Sequence, residues 1–116
     1  MIVSIKETYL NGQLNGLRTT YHANGMKSTE ENWKFNMLHG MVRNFYDDGK
    51  LLSQADYRSN RQHGLYTSYY PNEKIKEQGS YIANKKHGEW KEYNEAGDLI
   101  KTLIYKAGLL TEGEIK

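Results

Sequence analysis

Three histidines recur at one fixed step: His39, His63 and His87 lie 24 residues apart, each immediately before a glycine. Imidazoles in register invite a metal centre. If the repeating unit is a hairpin, however, equivalent residues sit two strands apart, separated by ~9–10 Å. Zinc takes nitrogen at ~2.0–2.1 Å, so two of its ligands must approach within about 4 Å of each other. The spacing therefore rules out a shared ion, and the histidines read as turn residues that accept an unusual φ before glycine. Other chemistry lacks its parts. There is no cysteine and no Gly-x-Ser-x-Gly elbow, and the glycines are spaced for turns rather than for a phosphate loop opening a helix. Asp47-Asp48 and Glu30-Glu31 are adjacent pairs that strand alternation would send to opposite faces. The expectation is a chain with no enzymatic activity, cofactor or metal.

The elements that must position these residues follow from the same period. Gly16, Gly40, Gly64 and Gly88 keep the 24-residue step, as do Tyr21, Phe45, Tyr69 and Tyr93, and so do Tyr9, Trp33, Tyr57, Tyr81 and Tyr105. A period of this size marks stacked supersecondary units, each too small to bury its own apolar face. The 116 residues suit one domain. It divides into a half unit (1–9), full repeats 10–33, 34–57, 58–81 and 82–105, and a partial unit (106–116). With 37% hydrophobic residues, much of it tyrosine, a thin sheet fits better than a thick aliphatic core. Net charge is +2 and sums to zero within three of the four repeats, which argues against nucleic acid as a ligand. The cysteine-free composition, the absence of a ~20-residue apolar run and the character of the first five residues make the cytoplasm the expected location.

Within a repeat, Leu65–Tyr70 is aromatic and β-branched, Pro71-Asn72-Glu73 breaks it, and a second run follows. The other breaks are Ala23-Asn24-Gly25, Asp47-Asp48-Gly49 and Glu95-Ala96-Gly97, the pattern of a type I turn closed by a left-handed glycine. Glu73 departs from it and predicts a distorted turn. Between hairpins, Gly12, Asn36, Asn60, Asn84 and Gly108 occupy one position, where tolerance of positive φ predicts a chain reversal. The fold class is all-β: one elongated antiparallel meander of nine or ten strands in stacked hairpins, about 40–45 Å long.

Counting outward from each three-residue loop pairs Tyr21 with Lys27, Phe45 with Leu51, Tyr69 with Ile75 and Tyr93 with Leu99, then Met41 with Ala55 and Leu65 with Gly79. That register predicts an inner apolar face holding these residues with Leu17, Tyr57, Tyr81, Leu103 and Tyr105. The other face would carry Val42, Tyr46, Leu52, Tyr66, Tyr70, Trp90 and Ile100 among polar residues. Exposed aromatics on a polar sheet are characteristic of protein interfaces, although a one-layer sheet also needs tyrosine to shield its own backbone. Tyr46–Lys50 and Tyr70–Lys74 form similar cross-strand pairs at the loop end. The candidate partner-binding residues are thus Val42, Tyr46, Lys50, Tyr66, Tyr70, Lys74 and Trp90.

The stretch Asn84-Lys85-Lys86-His87-Gly88-Glu89-Trp90-Lys91-Glu92-Tyr93, with its counterparts around His39-Gly40 and His63-Gly64, resembles the MORN-repeat variant of bacteria. Asn15 stands in place of the histidine in the first copy, and Arg18, Val42 and Tyr66 stand where Trp90 matches the family's tryptophan. Many such proteins are similar to the YwqK-type antitoxins. That resemblance implies a protein that binds a cognate toxin and neutralises it by steric blockade. A membrane or lipid-headgroup adaptor and a self-associating scaffold are the alternatives, the former disfavoured by the balanced charge.

Overall fold

The structure, a computed structural model, describes residues 5–115. The first residues of the expected opening half unit and Lys116 lie outside the described residues. The described chain contains no helix. It forms β1 (Ile5–Lys6), β2 (Tyr9–Leu10), β3 (Gln13–Leu14), β4 (Gly16–Tyr21), β5 (Lys27–Lys34), β6 (Met37–Phe45), β7 (Leu51–Arg58), β8 (Arg61–Tyr69), β9 (Ile75–Ile82), β10 (Lys85–Tyr93), β11 (Leu99–Lys106) and β12 (Leu109–Ile115). Ten of these make one antiparallel sheet in the order β1-β4-β5-β6-β7-β8-β9-β10-β11-β12, and β2 and β3 pair separately. The molecule measures 48 × 31 × 18 Å, one sheet thick along its short axis.

Two kinds of turn alternate. At one end the loops close as expected: Gly49 N–H donates to Tyr46 O at 2.9 Å, and Gly25, Gly49 and Gly97 take φ of 87°, 91° and 97°. Glu73 takes the same conformation at φ 71°, and its N–H donates to Tyr70 O at 2.9 Å. The turn expected to be distorted is therefore intact. At the other end two-residue turns have positive φ at both positions, as in Ser59 (49°) and Asn60 (68°). These are the primed turns whose twist matches that of the strands they join. Each asparagine there also grips the neighbouring hairpin. Asn60 N–H donates to Leu38 O at 2.9 Å, while Leu38 N–H donates to Asn60 Oδ1 at 2.8 Å.

The register departs from the count made from the loops. Phe45 faces Leu51 as expected, but Asn44 then faces Ser53, leaving Leu52 as an extra residue, and Val42 rather than Met41 faces Ala55. The same slip follows Tyr21, Tyr69 and Tyr93, and it places Tyr66 opposite Gly79. A one-residue bulge exchanges the faces of everything beyond it. The slipped register also makes polar matches: Asn44 Nδ2 donates to Ser53 Oγ at 3.2 Å, and Gln78 Nε2 to Thr67 Oγ1 at 3.2 Å. The outcome is that Tyr57, Tyr81 and Tyr105 join Val42, Tyr66 and Trp90 on one face. Leu17, Met41, Leu65, Phe45 and Tyr69 occupy the opposite face.

Candidate protein-binding surface

The seven candidate residues all engage the sheet itself. Trp90 is the most deeply buried side chain described, 1% exposed. It stacks on Tyr66 with centroids 5.7 Å apart and planes at 28°, and meets Tyr81 and Tyr105 edge-on at 5.1 and 6.5 Å. Its Nε1–H donates to Ser80 O at 3.1 Å. Lys86 Nζ lies 4.5 Å from the Trp90 ring centroid and 5.1 Å from that of Tyr105, closing the cluster with a cation. Burial pushes the Tyr66, Tyr81 and Tyr57 phenols above their ordinary pKa, with the Glu77 carboxylate adding to the effect at Tyr66 and Tyr81 and Glu31 at Tyr57. Trp90 was expected to face a partner; the register slip instead carries the tyrosines of the second strands over to it and buries it.

Tyr46, Tyr70, Lys50 and Lys74 form rungs between hairpins at the loop end. Tyr46 O–H donates to Tyr69 O at 2.6 Å and Tyr70 O–H to Tyr93 O at 2.8 Å, each reaching one repeat onward. Lys50 Nζ donates to Pro71 O at 3.4 Å and Lys74 Nζ to Ala96 O at 3.0 Å. Val42 sits between Glu31 and Ala55 in adjacent strands. Arg18, at the position equivalent to Trp90 in the first repeat, is held by Glu7 at 3.0 Å and Glu31 at 3.5 Å.

The histidine–glycine steps also have a different role from the one expected. The histidines do not take positive φ. The glycines after them do, at 112°, 115° and 78° for Gly40, Gly64 and Gly88, and they lie within strands rather than in turns. Gly64 sits over Asp56, whose Cβ would be 3.2 Å from any Cβ added there. His39 Nδ1 accepts from Ser59 N–H at 3.4 Å, bracing the next two-residue turn. Among the described residues no group of three or more side chains is arranged to hold a metal ion.

One feature was missed from the sequence. At the two-residue-turn end, a groove of about 550 Å³ is lined by Arg61, Ile82, Ala83, Lys85, His87, Lys106 and Ala107. A shallower one of about 320 Å³, lined by Arg58, Ser59, Arg61, His63 and Ala83, shares its Arg61 and Ala83 walls. Summing charge by repeat concealed this concentration. Asp47, Asp48, Glu73, Glu95 and Asp98 fall at the loop end of the sheet, while Arg58, Arg61, Lys85 and Lys106 fall at the other. Reading charge by position within the period would have revealed it.

Comparison with known proteins bears on the fold. The chain is similar to TarM in its crystal structure, with 14% identity and a TM-score of 0.51, covering 86% of this chain and 19% of TarM. It is also similar to a mutant of S. aureus TarM solved with fondaparinux, α-GlcNAc-glycerol and UDP, with 14% identity, a TM-score of 0.52 and the same coverage. At that identity the likeness concerns the sheet alone, and the chain spans about a fifth of TarM's length. A search of the curated proteins finds no match. The MORN repeat variant family matches residues 38–59, 62–83 and 86–107, more than half of the chain and in step with the three hairpin units just described, so the chain belongs to that family.

Proposed function

We propose that this chain is a non-catalytic, cytoplasmic protein-binding module that acts as an antitoxin or immunity protein, blocking a cognate toxin by covering its active site or substrate path. Repeats of this family generally bind proteins or membranes, and the resemblance to YwqK-type antitoxins supports the narrower role. The observation that carries protein binding is the face opposite Trp90. Leu17 and Leu65, one position in two repeats, are 46% and 50% exposed there. The same face carries the half-buried row of Phe45, Tyr69 and Tyr93 toward the loop end. Apolar side chains set in rows on the open side of a one-layer sheet mark an interaction surface. The aromatic cluster around Trp90 stiffens the sheet from behind.

The test pairs the protein with the product of the neighbouring gene in cells. The parent chain should restore growth. Leu65→Asp should lose about 2 kcal/mol of binding, as expected at an interface hot spot, and lose protection while melting unchanged. Protection by Leu65→Asp equal to the parent would remove this face from the interface. No protection by the parent would end the antitoxin reading.

A further inference from the structure

We propose that the groove running from the third repeat across the fourth to the closing partial unit receives an extended acidic segment of the partner protein, carrying a carboxylate at every third residue with an apolar side chain between two of them. This rests on the protein-binding reading and names the chemistry of the partner. The groove lies on the same face as Leu65 and continues it to the two-residue-turn end.

Charge comes first. The ion pairs among the described residues draw their cations from Arg18, Lys27, Arg43, Lys50, Lys86 and Lys91. Arg58, Arg61, Lys85 and Lys106 are in none of them, and all four are exposed. Carboxylates on that face lie outside the two grooves: Asp56 is tucked against Gly64, while Glu89, paired with Lys91, lines a neighbouring groove with Glu112. No acidic side chain lines either groove. The floor is apolar: Ile82, 46% exposed, with Ala83 and Ala107.

Spacing then selects the ligand's conformation. Arg61 and Lys85 are one repeat apart, which is two strands or ~9–10 Å along the sheet. A polyproline II segment returns a side chain to the same side every third residue, ~9 Å on. A β-strand does so every ~7 Å, which is out of step. Nucleic acid is disfavoured because no Phe, Tyr or Trp lines the groove to stack a base. A lipid surface is flat and would not fill a slot with an apolar floor.

The probe is a short fluorescein-labelled peptide with glutamate at every third position and one leucine between two of them. Its control has the same composition with the glutamates consecutive. Fluorescence anisotropy on the whole protein should show tighter binding of the spaced peptide and weakening with added salt. The double variant Arg61→Glu with Lys85→Glu should lose at least about tenfold in affinity while keeping its β-sheet circular dichroism. Should that variant misfold, Lys106→Glu alone gives a second reading. Equal binding of the two peptides, salt-independent binding, or unchanged affinity in a folded variant would overturn the proposal. So would binding only to vesicles of phosphatidylcholine with phosphatidylserine, which would make the groove a membrane contact. Peptide binding without capture of the neighbouring gene product removes the antitoxin role and leaves the groove. Capture that the double variant does not weaken does the reverse.

Discussion

The Trp90 indole lies flat on the backbone of Gly79: a Cβ added to that glycine would stand 2.1 Å from Trp90 Cδ2. The two are cross-strand neighbours on one face, in β9 and β10, and the absence of a side chain at position 79 makes the room that Trp90 occupies. Gly79→Ala should therefore push the indole off Tyr66 and cost about 3 kcal/mol, as forced overpacking does. Urea denaturation measures it, and a loss under about 0.5 kcal/mol would show that the indole repacks freely.

Removing the indole itself should cost more. Among the described residues Trp90 is the one nearly solvent-free aromatic and Ala55 the other buried apolar residue, so Trp90→Ala should lose about 3–5 kcal/mol. Tyr46→Phe, which deletes only the O–H donated to Tyr69 O, should cost about 1 kcal/mol. If Trp90→Ala melts like the parent, the cluster is not the support proposed for the sheet.

The repeat period, both turn chemistries and the pairs nearest each loop were legible in the sequence, because turns are specified locally by Asn, Gly and Pro. The face assignment was not. It depended on whether a bulge follows Leu51, Ile75 and Leu99, and apolar patterning does not distinguish Met41–Ala55 pairing from Val42–Ala55 pairing. What the slipped register adds is polar: Asn44 with Ser53, Gln78 with Thr67, and a glycine under Trp90. Those matches become visible only once the strands lie side by side. The groove was missed for a similar reason, since its walls come from residues 24 apart that per-repeat sums mix with the acids of the far end.

Asn60 offers a separation of backbone from side-chain effects. At φ 68° it needs a residue that tolerates the left-handed region, and its Oδ1 accepts from Leu38 N–H. Asn60→Gly should lose the hydrogen bond, about 1 kcal/mol, with the cost of a freer unfolded chain roughly offset by relief of the residual left-handed strain at φ 68°. Asn60→Ala should lose that and add about 1 kcal/mol of backbone strain. Equal destabilisation of the two in thermal melts would mean that the turn carries no strain.

Glu73 gives the opposite sign. It is the one loop position of its series without glycine, yet it holds φ 71° in an intact turn. Glu73→Gly should relieve about 1–2 kcal/mol of strain and give back roughly half to one through the freer unfolded chain. A net gain of about 0.5–1 kcal/mol is expected. Denaturation showing a loss would mean that the Glu73 side chain holds the turn in some other way.

Alkaline pH should weaken the sheet through its buried phenols. Burial, with help from nearby carboxylates, raises the pKa of Tyr57, Tyr66 and Tyr81 above 10.0. A raised folded value means that the folded chain keeps protons which the unfolded chain gives up. Stability from these groups is therefore complete below about pH 10, where the phenols are neutral in both states, and drains away as pH climbs through and past that value. Tyr66 tests it directly. Tyr66→Phe retains the ring against Trp90 but has no proton to lose, so its urea midpoint should fall less steeply than the parent's between neutral pH and about pH 11. Lysine deprotonation over the same range affects both proteins and cancels in the comparison. Parallel falls in parent and variant would show that the Tyr66 phenol is as free to ionise in the sheet as in the unfolded chain.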